Sequence, residues 1–126
     1  MCLLTAMEAT IVFSDHIARL TPVRTVAQDD WRALVELSGQ LDIANASQLR
    51  DELDRHLDAG RRVLRVDAAN VDFMDSTAVG ALVAANSRCR QMHGSLILTG
   101  VRRPLARLLQ VAGLDRILLV DTAADG

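Results

Sequence analysis

Lysine is absent from this sequence, and all fourteen basic residues are arginine. A chain without lysine has no phosphate-loop lysine, no Schiff-base nitrogen and no receiver-type lysine beside a phosphorylated aspartate. Tyrosine is missing too, and the aromatic residues are Phe13, Trp31 and Phe73. The core must therefore be built from Leu, Val, Ile and Ala, which supply most of the 50% hydrophobic content. Two cysteines, Cys2 and Cys89, form neither a metal-ligand pair nor a disulfide framework, which points to a reduced, cytoplasmic setting. No apolar run approaches the ~18 residues of a membrane span, and Met1 to Met7 lacks the basic start of a signal peptide. A formal net charge of −2 gives no electrostatic case for nucleic acid or for an anionic membrane surface.

With 126 residues the chain is expected to be one domain with a real core. Residues 1–21 read as an N-terminal extension in which Thr10-Ile11-Val12-Phe13 has the look of a short strand. From Val23 the pattern is clearer. Val23–Ala27 and Ala33–Leu37 read as two strands joined by a polar turn, the second closed by Ser38-Gly39. Asn45-x-x-Gln48 has the form of a capping box, and Gly60 suits the left-handed position after a helix. Between them Ala46, Leu49, Leu53 and Leu57 make one apolar stripe. Val63–Val66 is a short buried strand, and a helix then runs from Asp75-Ser76 to Gly94. Ser95–Thr99 is a further strand, closed by Gly100. Pro104 starts a third helix with Leu105, Leu108, Leu109 and Ala112 on its buried face, and Gly113 stops it. Ile117–Val120 is the last strand, and residues 122–126 should fray. Strands alternating with helices through short loops predict an α/β domain, helices packed on a mixed sheet of four to five strands.

The stretch that stands out is Val71 to Val83, in which Asp75 and Ser76 fall between strand and helix spacing. A helix start has unpaired N–H groups and favours an oxygen-bearing cap, so a plain N-cap role accounts for a serine there by spacing alone. For Asp75 two roles stay open, helix-end electrostatics and orientation of the Ser76 hydroxyl. Asp42 lies in a loop ahead of the first helix, where turn aspartates are common. Asp42, Asp67, Asp72 and Asp75 lack ligand-loop spacing, so no metal and no cofactor is expected. His16, His56 and His93 are scattered, His56 and His93 near helix C-termini where imidazole is favoured. Nothing points to a catalytic residue. Arg102, Arg103 and Arg107 make a weak basic patch, read as solvated surface.

Asp75-Ser76-Thr77-Ala78-Val79-Gly80 resembles the Asp-Ser-(Ser/Thr)-Gly-Leu-Gly signature of the STAS-domain anti-sigma factor antagonists. Gly39-Gln40-Leu41-Asp42-Ile43, followed by Ala46 and Leu49-Arg50, is similar to a second motif of the same family. The resemblance covers residues 22–121 and departs from the pattern at Ala78 and Val79. It implies a STAS domain that binds an anti-sigma factor, itself a serine kinase, and releases the sigma factor that kinase holds. It also implies phosphorylation of Ser76 by that kinase, a phosphatase that reverses it, and a partner-binding set of Asp42, Asp75, Ser76, Thr77 and Ala78. Two other readings are open. One is a STAS subunit of a lipid-transport ATP-binding-cassette complex, not phosphorylated. The other is a nucleotide-binding enzyme, which the missing lysine and phosphate loop disfavour.

Overall fold

A computed structural model describes residues 22–122; the extension, including the strand expected at Thr10–Phe13, and residues 123–126 lie outside the described residues. Five strands form one sheet in the order β1-β2-β3-β4-β5, namely β1 (Val23–Gln28), β2 (Arg32–Leu41), β3 (Val63–Met74), β4 (Ser95–Val101) and β5 (Leu119–Thr122). β1 and β2 are an antiparallel hairpin, and β2 to β5 run parallel to one another. Three helices, α1 (Ala46–Asp58), α2 (Ser76–Gln91) and α3 (Arg103–Val111), make the crossovers between the parallel strands. Parallel crossovers are right-handed, so strands laid side by side in chain order carry all three helices to the same face. The burial pattern agrees. Val35 and Leu37 of β2, Leu64 and Val66 of β3, and Leu96 and Leu98 of β4 join Leu49, Leu53, Leu82 and Leu109 of the helices in one core.

The parallel strands outrun their predicted lengths. Ser38-Gly39 was expected to end β2, but the strand continues to Leu41, with Gly39 at φ +73° and register shifts on either side of it. Gly39 thus builds an irregularity inside the strand rather than a turn after it. β3 likewise continues past Val66 to Met74, because Asn70 to Met74 pair with Ser38 to Leu41 beyond the last β3–β4 pair at Asp67 and Thr99. A single 3-10 turn, Leu114–Arg116, takes up the chain after α3, so the last strand begins at Leu119 instead of Ile117 and includes Thr122. On α3, Leu105 and Leu109 are buried, whereas Leu108 and Ala112, expected beside them, are exposed.

The helix ends also differ in detail. α1 starts after Asn45, but the capping box does not form. The Asn45 side chain turns back, accepting from the Asp42 N–H at 2.8 Å and donating to the Gln40 carbonyl at 2.7 Å. After α2 the left-handed residue is His93, at φ 62°, and not Gly94. Gly94 is needed for another reason, since a Cβ there would lie 1.9 Å from the Arg62 carbonyl oxygen.

Candidate functional site

The carboxyl ends of β2 and β3 are paired at Leu41 and Met74, and each strand delivers an aspartate to the same edge of the sheet. Asp42 follows β2 and Asp75 follows β3. Loops at this edge of a parallel sheet are where α/β folds place their functional groups. Asp75 has extended backbone and caps α2, its Oδ1 accepting from the Ala78 N–H at 3.0 Å. Its Oδ2 accepts from the Ile43 N–H at 3.1 Å, and its own N–H donates to the Leu41 carbonyl at 2.9 Å. One carboxylate therefore starts the helix and ties the β2–α1 loop to it. Asp42 holds that loop from within, its Oδ1 accepting from the Ala44 N–H at 3.0 Å and its carbonyl accepting from Asn45 and Ala46.

The cap of α2 is Asp75, not Ser76. Ser76 is the first helical residue, exposed, and its hydroxyl makes no hydrogen bond among the described residues. Each Asp75 oxygen accepts a backbone N–H, and neither is bonded to the Ser76 hydroxyl, so in this arrangement the carboxylate serves the helix end and the loop. Thr77 is exposed beside Ser76. Ala78, expected at the partner face, is fully buried and packs in the core, so its contribution to that face is to seat the first turn. The motif's Gly80 lies one turn after Ser76 on the same side of α2, exposed, with no atom within 4 Å of where a Cβ would stand.

Sequence reasoning missed the apolar rim of this site. Ile43, next to Asp42, is 77% exposed, and Phe73, two residues before Asp75, is 54% exposed. Phe73 also lines a hollow of about 370 Å³ with Val71, Met74, Arg102, Pro104 and Leu108. The signal available was an isoleucine set in an otherwise polar loop at Asp42–Asn45. Arg102 is not loose basic surface, because it donates to the Val71 carbonyl at 2.9 Å and lies 3.5 Å from Asp72. Among the described residues no three His, Cys, Asp or Glu side chains converge on a common point, and Asp67 is engaged with the Ala69 N–H at 2.9 Å.

Two groups away from the site were also hidden from sequence. His56 is completely buried between α1 and β1, on the stripe that begins at Ala46. Its Nε2 is 2.7 Å from Thr25 Oγ1, which donates in turn to Glu52, and Arg61 lies 3.3 Å from its Nδ1. Burial, with Arg55 and Arg61 nearby, lowers its pKa, while Arg55 holds Glu52 down to about 2. Cys89 is buried in the core, and burial pushes its thiol up to about 11, which disfavours the thiolate.

Comparison with known proteins gives a consistent picture. The family model described as "Mlab, STAS domain" matches residues 25–121. The anti-sigma-B factor antagonist of Listeria monocytogenes is 33% identical over 82 residues, covering 65% of this chain and 72% of that protein. The antagonist of the same name from Staphylococcus epidermidis is 28% identical over 103 residues, covering 82% and 94%. Among solved structures, the anti-sigma factor antagonist SpoIIAA in its unphosphorylated form superposes with a TM-score of 0.65 at 16% identity, covering 82% of this chain and 90% of SpoIIAA. SpoIIAA, described as a Bacillus cell fate determinant, is also known in its phosphorylated form, with a TM-score of 0.64 at 19% identity over 79% and 91% of the two chains. These structural likenesses speak to the fold.

Proposed function

This chain belongs to the STAS domain family, and on that footing we propose that it is an anti-sigma factor antagonist acting by binding rather than by catalysis. In this reading it docks on an anti-sigma factor kinase in the cytoplasm and frees the sigma factor that kinase holds. The exposed Ser76 and Thr77, with the half-buried Asp42 and Asp75 beside them, form the docking surface. The observation that carries the switch is the division of labour at the start of α2, where Asp75 performs the capping and leaves the Ser76 hydroxyl uncommitted. A serine spent on the cap would have to give up that bond to be modified.

Phosphorylation transfers the γ-phosphoryl group of ATP, bound by the partner, to Ser76 Oγ. The bond to ADP breaks, and the hydroxyl proton passes to a base on the kinase. The product carries close to two negative charges, which face the positive end of the α2 dipole and the free N–H groups of its first turn. The fold accommodates that charge. A partner pressed against Asp42, Asp72 and Asp75 meets added bulk and repulsion instead. A separate phosphatase restores binding.

The test is peptide mass spectrometry of the protein incubated with ATP and each anti-sigma kinase of its own genome. One phosphate on the Ser76 peptide, absent from Ser76→Ala, is the expected result. No phosphate with any kinase that binds the protein would remove the switch from the account. Stable co-purification with the ATPase of a transport complex would overturn the antagonist reading itself.

A further inference from the structure

Among the described residues, three crossovers on one side leave the other face of the sheet without a layer, whereas parallel sheets are ordinarily covered on both faces. That bare face is not polar throughout. Its middle row, traced through the pairings, is Ala27, Leu34, Arg65, Ile97 and Leu119, and Val63 lies in the row below. Leu34, Val63 and Ile97 are only partly buried, and Leu119 is 55% exposed. A hollow of about 540 Å³ opens here, lined by Ala27, Trp31, Leu34, Val63, Arg65 and Ile97. It lies at the amino ends of the parallel strands, away from Ser76 at their carboxyl edge. Arg65, set between Leu34 and Ile97, makes no ion pair or hydrogen bond among the described residues.

The chain itself supplies an occupant. Twenty-one residues precede Pro22 and fall outside the residues 25–121 shared with the family. They hold Ile11-Val12-Phe13, an apolar run of two β-branched residues and an aromatic one, with Asp15 two residues further on. Pro22 is at the edge of the sheet, its carbonyl accepting from the Ser38 N–H at 3.0 Å. Eight residues lie between Phe13 and Pro22, so nine Cα steps give a reach of about 30 Å when extended, against roughly 20 Å for the length of a six-residue strand. The run can therefore lie anywhere on the face.

We propose that Ile11-Val12-Phe13 covers the open face of the sheet, filling the hollow between Trp31, Leu34, Val63 and Ile97, with Asp15 set against Arg65. The extension is then the second layer of the domain, and it keeps an apolar sheet face from pairing with other chains.

Trp31 is the one tryptophan of the chain and stands at the rim of the hollow, 44% exposed with Arg32 stacked 4.4 Å from its ring centre. It reports on cover directly. In the full-length chain, the double substitution Ile11→Asp and Phe13→Asp should shift Trp31 emission to the red and increase its quenching by acrylamide. Phe13→Ala should do the same to a lesser degree. Amide resonances of Leu34, Val63 and Ile97 should move, while those of Leu49 and Leu82 on the helical face stay in place and show that the fold is intact. Unchanged quenching and unchanged amides of Leu34 and Ile97 would overturn the proposal. So would shielding of Trp31 in the unsubstituted chain that is lost on dilution, because a second copy would then be the cover.

Discussion

At the scale of single residues, the site depends on one carboxylate with two tasks. Asp75 accepts from Ala78 to begin α2 and from Ile43 to hold the neighbouring loop. Loss of an N-cap typically costs about 1 kcal/mol, and up to about 2. Asp75→Ala should therefore lower stability by about 1–2 kcal/mol in urea denaturation, and should speed amide exchange at both Ala78 and Ile43. Exchange that rises at Ala78 alone would show the loop to be held by something else. Gly80 has the opposite character. It is a mid-helix glycine with open space around it, and the fold gains nothing from the missing side chain. Gly80→Ala should stabilise the protein by about 0.5–1 kcal/mol. Gly80→Gln should leave the fold intact and weaken kinase binding, if the partner's backbone approaches α2 closely beside Ser76. Equal affinity for Gly80→Gln and the unsubstituted chain would exclude that approach.

At the scale of elements, the contact between α1 and β1 is the part of the fold that should respond to pH. His56 is buried, with Nε2 2.7 Å from Thr25 Oγ1 and Nδ1 3.3 Å from Arg61. Its pKa is lowered in the fold, so the unfolded chain takes up its proton first as pH falls through about 6.5. Stability is lost in that step. Glu52 behaves as a depressed carboxylate, contributing above about 4.5 and losing its contribution as pH falls toward about 2. Chemical denaturation across pH should show both losses, and His56→Gln should abolish the upper one while keeping the lower. An upper loss that persists in His56→Gln would place its origin in another group.

The same elements show what the sequence made legible. Helix positions followed from apolar spacing and from glycine and proline punctuation, and the hairpin from its polar turn. Strand lengths did not, because β2 and β3 are extended by pairing to each other, and long-range pairing leaves no local pattern at Ser38–Leu41 or Asn70–Met74. Gly39 and Gly94 were read as stops from their local chemistry, yet one builds an irregularity within a strand and the other makes room for the Arg62 carbonyl. Asp75 and Ser76 were legible as a junction, but which of the two caps the helix depends on backbone geometry. Leu108 followed the helical period and is nevertheless exposed, since α3 lies toward the edge of the sheet and has little above it to bury a second ridge.

At the scale of the whole molecule, the two faces of interest are separated by the length of the parallel strands. The aspartates, Ser76 and the exposed Ile43 and Phe73 gather at the carboxyl edge. The hollow on the open face of the described sheet lies toward the other end, near Trp31. Between them is an aliphatic core in which Cys89 and Ala78 are completely enclosed. A charge added at Ser76 therefore touches neither the core nor the open face, and it should change binding while leaving folding alone. The most direct test takes one sample phosphorylated on Ser76 and measures two quantities, thermal unfolding and affinity for the anti-sigma kinase by calorimetry. The expected result is a Tm close to that of the unmodified protein together with affinity weakened ~100-fold or more, the scale of like charges forced together in an interface. Unaltered affinity, or a loss of affinity accompanied by an equal loss of folded protein, would contradict it.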